Sequence, residues 1–304
     1  VSRMFVCSFE LTMKKAFLWC TLLLWAQVCQ STTPYVQAGK LPTAELTTQL
    51  AQVEKKLQAE GFTVVGRHMP KGLPTHASLV VTDPAMLEAI RSIGGPSIIA
   101  AGIRVGVQSD GTVSYMNPNY WFRAYLRGSF KAGEIPAKSV QARLARTLGD
   151  GAGFGGDVAE ADLANYRYMF GMERFDSPNS ELSSHASFEE ALKTVQDNLT
   201  NGVGNTSRVY EVVMADRKLA VFGVAMNDLG DGESAWMNKI GANHIAGMPY
   251  EVFIVGNKVF ALYARYRIAL AWPALGMGQF MGIINTPDAI RNTLSRVAGG
   301  VPPG

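Results

Sequence analysis

Residues 103–118 read IRVGVQSDGTVSYMNP, and residues 250–265 read YEVFIVGNKVFALYAR. Each stretch holds two short β-branched or alternating runs around a turn, Ser109-Asp110-Gly111 in the first and Gly256-Asn257 in the second. Gly, Asn and Asp accept the left-handed backbone that tight hairpins need, so both stretches predict hairpins. Val105 and Val107 correspond to Val252 and Ile254, a displacement of 147 residues.

The correspondence extends upstream through the chain. Leu46, Leu50, Val53 and Leu57 have the spacing of an amphipathic helix, and Phe188, Leu192, Val195 and Leu199 repeat it 142 residues later. Strand-like runs follow in both places, FTVVGRHM and HASLVV in the first, SRVYEVVM and KLAVFGVAM in the second. A second helix, AMLEAIRSIGG or SAWMNKIGAN, precedes the final hairpin. Four matched elements in one order indicate a tandem duplication, with the small drift in displacement absorbed by loops. The predicted class is α+β: two tandem αββαββ units, each a mostly antiparallel four-stranded sheet with helices on one face. The units are placed at 41–125 and 185–304. The intervening 126–184 is an insert, with a helix over SVQARLARTL, the glycine-rich GDGAGFGGD, and a second helix over ADLANYRYMFGMERF.

Ahead of the first unit, Met13-Lys14-Lys15 leads into AFLWCTLLLWA, the pattern of a secretory signal peptide, after an upstream extension; together they occupy 1–31. The apolar run is shorter than the roughly 20 residues that span a bilayer, so cleavage is favoured over an inner-membrane anchor. Small residues near Cys29-Gln30-Ser31 and near Val36-Gln37-Ala38 offer two cleavage sites. The three cysteines, Cys7, Cys20 and Cys29, all lie in this leader, so cutting beyond them leaves no disulfide and no thiol chemistry. Removing 1–31 also takes Arg3, Lys14, Lys15 and Glu10, which brings the net charge from +3 to +1. Such a balance supplies no electrostatic footprint for nucleic acid. A periplasmic or secreted protein with no stable membrane span is the expectation.

LQAEGFTVVGRHM, SLVVTDPAMLEAI and IRVGVQSDGTVSYMNP, with the steps Gly61-Phe62, Asp83-Pro84 and Asn117-Pro118, resemble the bacterial family Domain of Unknown Function 302. The resemblance covers about a third of the chain. The second copy lacks these steps, with Gly204-Asn205 and Tyr263-Ala264-Arg265 in their places, and reads as degenerate. The family implies a small α+β domain that pairs with its like, here as an intramolecular pairing of the two repeats within one chain, and brings no reaction with it.

Candidate sites are few. Gly151, Gly153 and Gly156 spell G-x-G-x-x-G, but after a helix rather than a strand, which favours a linker over a dinucleotide loop. His68 and His76 flank the first hairpin beside Met69, a set that would suit copper(I) if the three converge. Met277 and Met281, with Met248, read more readily as core filler than as a metal site. His244 is a candidate base, without an assignable partner. Two aromatic-basic clusters, Asn117, Tyr120, Trp121, Arg123 and Tyr125 in one and Tyr166, Arg167, Tyr168 and Phe170 in the other, are the best ligand-binding candidates, equally suited to cementing the insert. The leading expectation is therefore non-catalytic binding of a small ligand or a periplasmic protein. Copper-type metal handling or a redox-accessory role comes second, a hydrolase third, and no cofactor is clearly implied.

Overall fold

The computed structural model describes residues 30–302. The leader reading at 1–31 falls almost wholly outside that range. In chain order the elements of the first half are β1 (Ser31–Thr32), β2 (Tyr35–Lys40), α1 (Leu46–Ala59), β3 (Thr63–His68), β4 (His76–Thr82), α2 (Pro84–Ile93), a 3₁₀ segment (Gly95–Ala101), β5 (Ile103–Gln108) and β6 (Thr112–Met116). There follow α3 (Pro118–Leu126), α4 (Phe130–Leu148), β7 (Gly153–Phe154), β8 (Val158–Ala159), α5 (Glu160–Leu163) and β9 (Glu181–Ser184). The second half holds α6 (Phe188–Thr200), β10 (Thr206–Met214), β11 (Leu219–Met226), α7 (Glu233–Ile240), a 3₁₀ segment (Ala242–Gly247), β12 (Tyr250–Val255) and β13 (Lys258–Phe260), then α8 (Ala264–Ala271), α9 (Met277–Met281) and α10 (Thr286–Val297).

The chain is α+β, with two mostly antiparallel sheets of strand order β3-β4-β5-β6-β2-β7 and β10-β11-β12-β13-β9. Within each, four consecutive strands, β3-β4-β5-β6 and β10-β11-β12-β13, follow the predicted hairpin order. The strands added beyond β6 and β13 were not anticipated. Tyr35–Lys40 pairs with β6, with Tyr35 fully buried, so a cut after Ala38 would remove a strand of the first sheet. The insert supplies β7 to the first sheet and β9 to the second. Its expected second helix shrinks to the four residues of α5, and Gly171, with φ of 80°, sits in the turns that replace it.

The residues that carry the family resemblance have local physical roles. Gly61 takes φ of 82°, and the Phe62 and Gly61 amides donate to the Leu57 and Gln58 carbonyls, closing α1 with the helix-stop geometry that favours glycine. Asp83 and Asn117 cap α2 and α3, accepting from the Met86 and Asn119 amides at 2.8 and 3.1 Å, and each is followed by proline at the first helical position.

α1 and α6 each lie against their own sheet, burying Leu50, Val53 and Leu57 in one and Phe188, Val195 and Leu199 in the other. All eight residues of β11 are buried, so its second face is covered as well, by the other half of the molecule. Each 3₁₀ segment packs on the opposite half, Gly95–Ala101 against β11 and β12, and Ala242–Gly247 against β4, β5 and β6. Small residues permit this approach. A Cβ on Gly106 would stand 2.6 Å from the Ile245 side chain. Tyr210 projects into a hole lined by Gly66, Gly102 and Gly223, whose added Cβ atoms would lie 2.9, 2.7 and 2.3 Å from it.

Arg104 and Glu251 occupy the same place in the two copies, 147 residues apart, and they meet in a fully buried ion pair between the halves. Identical copies would set like charges against each other there, so this contact requires that the copies have diverged. Arg267 completes the centre. Its Nε donates to Glu251 Oε2 at 3.1 Å and its Nη2 to the Gly247 carbonyl at 2.6 Å. The Trp121 ring carries both guanidiniums, at 4.7 and 4.8 Å from its centroid.

Candidate ligand-binding cleft

The site builds up from the end of α8. A helix terminus leaves its last carbonyls without intrahelical partners. Here four side chains drawn from the whole chain supply donors to them: Tyr166 OH to Ala269 at 3.1 Å, Tyr120 OH to Leu270 at 2.8 Å, and Tyr35 OH and His244 Nδ1 to Ala271 at 3.0 and 3.1 Å. His244 is boxed by the rings of Tyr35, Phe154 and Trp272, with centroids 4.9, 5.6 and 5.2 Å away. Burial holds its pKa down at about 4, so at neutral pH it is an uncharged imidazole whose Nδ1–H is the donor. Trp272, the next residue, is fixed by donation to the Gly241 carbonyl at 3.1 Å and by an edge contact with Trp236.

Against this rigid floor opens a cleft of about 280 Å³. One wall is Tyr166, Tyr168, Met169 and Met172 from the turns after α5. The other runs from Ile268 and Trp272 to Met277 and Phe280. Met169, Met172 and Met277 are 47%, 37% and 62% exposed, unlike core methionines such as Met86 and Met237. Polarisable, adaptable thioethers at a solvent-open aromatic cleft are a binding surface rather than packing filler. Among the described residues, Arg265 is the one charged side chain lining it. Its Nε is buried without a hydrogen-bond partner, and its Nη1 lies 3.9 Å from Glu173 Oε1, beyond hydrogen-bond range. Glu173 instead accepts from Tyr168 OH at 2.8 Å.

The sequence-derived candidates divide around this cleft. Tyr166 and Tyr168 line it, Tyr120 and His244 secure its floor, and Arg167 and Phe170 are exposed on the adjoining turn, Phe170 at 93%. Asn117 and Trp121 face inward and tie down the N-terminal strand, Asn117 Nδ2 donating to the Thr33 carbonyl and Trp121 Nε1 to that of Pro34, at 2.9 and 2.8 Å. Tyr125 is buried beside Arg104. Arg123 pairs with Glu160 at 2.8 Å and covers the Phe130 ring. These four are structural cement.

The set His68, His76 and Met69 does not converge. His68 is buried with its Nε2 at 2.9 Å from Glu233 Oε1 of α7, whereas Met69 lines a shallow groove beside Arg67 and α1, on the other side of the sheet. His76 sits at the start of β4, its Nδ1 2.9 Å from Thr75 Oγ1. Among the described residues no three His, Cys, Asp or Glu side chains gather to hold a metal. Met277 and Met281, expected in the core, are exposed, and only Met248 is buried. The glycine-rich stretch forms an edge strand on β2, with the Gly151 amide donating to the Gln37 carbonyl.

Arg265, Met169, Met172, Trp272 and Phe280 were not predicted as a group. The recurring MFGM and GMGQFM stretches are the only sequence signal for them, and nothing in their spacing says that the 103 intervening positions fold back to bring them together. No protein family and no curated protein matches the chain. Among the described residues, no helix is long and apolar enough to cross a membrane.

Proposed function

We propose that this protein is a non-catalytic binding protein that takes a small, largely apolar ligand into the cleft between the 166–172 turns and the α8–α9 segment, acting in the periplasm or outside the cell. The observation that carries the reading is the pairing of exposed methionines and aromatic rings with a floor clamped by four hydrogen bonds, since preorganised apolar clefts bind at low entropic cost. The compartment rests on the leader pattern at Met13–Ala26. Kinship with the Domain of Unknown Function 302 family belongs to the same proposal and rests on the three steps at Gly61, Asp83 and Asn117.

The test is uptake of the neutral dye N-phenyl-1-naphthylamine, followed by its fluorescence. Wild type is expected to enhance emission saturably, and Ala269→Trp, which fills the cleft from α8, to abolish the enhancement with the fold intact by circular dichroism. Equal enhancement by both proteins would place the dye elsewhere and defeat the reading.

A second reading is copper(I) handling, favoured by three thioethers lining one cleft. It predicts competition with a copper(I) chelator that is lost when Met169, Met172 and Met277 become leucine. The guanidinium of Arg265 in the same lining opposes a cationic ligand and ranks this reading below the first. A hydrolytic role for His244 has less support, because its Nδ1–H is engaged by a carbonyl and its ring is enclosed by three others.

A further inference from the structure

We propose that the ligand of this cleft is an amphipathic anion: an aromatic or short aliphatic body carrying one carboxylate-type head, which Arg265 reads. This inference rests on the cleft being the binding site and adds the charge and class of what it takes.

Among the described residues, Arg265 is the single charged member of an otherwise apolar and tyrosine lining. Its side chain is about two-thirds buried, at 34% exposure, so its charge is incompletely solvated. A guanidinium in that position is normally held by a carboxylate in a bidentate fork. Glu173 is the nearest carboxylate, yet its Oε1 is 3.9 Å from Nη1 and its Oε2 is engaged by Tyr168 OH. Arg265 Nε has no hydrogen-bond partner among the described residues. A guanidinium left without a close protein acceptor favours an incoming anion, which completes this site through the Nη end, the end that is not buried.

Tyr168 holds Glu173 in the position where it balances the charge of Arg265 without occupying its fork. Such an arrangement leaves the Nη end of the guanidinium open to an exogenous acceptor. The cleft, about 280 Å³ and open to solvent on one side, is of a size to receive a bicyclic ring or a short chain of similar bulk. Met169, Met172 and Met277 then adapt to the shape of the body, while Arg265 selects the head.

The experiment uses the full chain labelled with ¹³C at its methionine methyls, titrated at pH 7 with two matched pairs, 1-naphthoate against 1-naphthamide and octanoate against octanamide. Resonances are assigned through single Met→Leu variants. Expected are shifts confined to Met169, Met172 and Met277, with at least one carboxylate bound roughly tenfold more tightly than its amide, as a charge-assisted hydrogen bond implies. In Arg265→Gln the two members of the pair should bind within about twofold of each other, while in Arg265→Lys a preference should persist. Glu173→Gln, which removes the competing charge, should tighten the carboxylate and leave the amide unchanged.

Amide and carboxylate binding wild type equally, with the same methyls shifted, would overturn the anion inference while the apolar cleft stands. No methyl shift with any of the four ligands would overturn the cleft reading, and this inference with it. Loss of affinity in Arg265→Gln for both members alike would assign Arg265 a structural role, and likewise overturn the proposal.

Discussion

Replacing Glu251 by glutamine tests the idea that one carboxylate holds the two halves together electrostatically. Glu251 stands between Arg104 and Arg267, all three at 3% exposure or less, and accepts from Arg267 Nε at 3.1 Å and Nη2 at 3.4 Å as well as from Arg104 Nη1. The native centre carries one net positive charge, moderated by the Trp121 face. Glu251→Gln keeps the shape, raises the buried charge to two, and turns an amide N–H₂ toward a guanidinium donor. Breaking a buried pair by removing one partner costs about 3–5 kcal/mol, a large fraction of the roughly 5–15 kcal/mol that folded chains possess.

In urea, with a slope near the upper end of about 1–3 kcal/mol/M, this moves the unfolding midpoint down by roughly 1–2 M. Arg104→Met supplies the control. It leaves Glu251 with both Arg267 contacts and lowers the buried charge to zero, so it should cost less than Glu251→Gln, and adding it to Glu251→Gln should restore part of the loss. A midpoint for Glu251→Gln within about 0.3 M of wild type, or an Arg104→Met variant as unstable as the glutamine one, would refute the charge argument.

Two further outcomes follow from the same packing. The folded-state pKa of His244 is depressed from 6.5 to about 4, so below pH 6.5 the unfolded chain takes up a proton that the folded one resists. Its contribution is complete above pH 6.5, declines as pH falls and is gone near pH 4, an effect of about 3 kcal/mol; His244→Phe should flatten that part of the melting temperature against pH curve. Gly106→Ala places a Cβ 2.6 Å from the Ile245 methyl and 3.0 Å from the Ala246 amide nitrogen, so it should destabilise by about 1–3 kcal/mol in a denaturation titration, although its strand backbone accepts alanine readily.

The duplication was legible because hydrophobic periodicity survives divergence. Leu50, Val53 and Leu57, and Phe188, Val195 and Leu199, are the buried stripes of α1 and α6, and both hairpins form where Gly111 and Gly256 take positive φ. The insert was less legible. The 161–175 stretch has helical composition, but Tyr166 and Tyr168 turn toward α8 and the cleft instead, with Tyr166 OH reaching Ala269, and tertiary contacts outweigh propensity. In the aromatic cluster at 117–125, composition alone does not distinguish a ring that meets a ligand from one that meets a backbone carbonyl. Tyr120 and Trp121 do the second. Arg104 and Glu251 stand at matched positions in the sequence, but their contact depends on two sheets meeting through the faces opposite α1 and α6, which strand patterns leave open.

The most direct test of the account is native mass spectrometry of wild type and Ala269→Trp, each incubated with 1-naphthoate and with octanoate. The account predicts a one-to-one adduct with at least one of these on wild type and none on Ala269→Trp. Equal adducts on both proteins, or none on either, would contradict it.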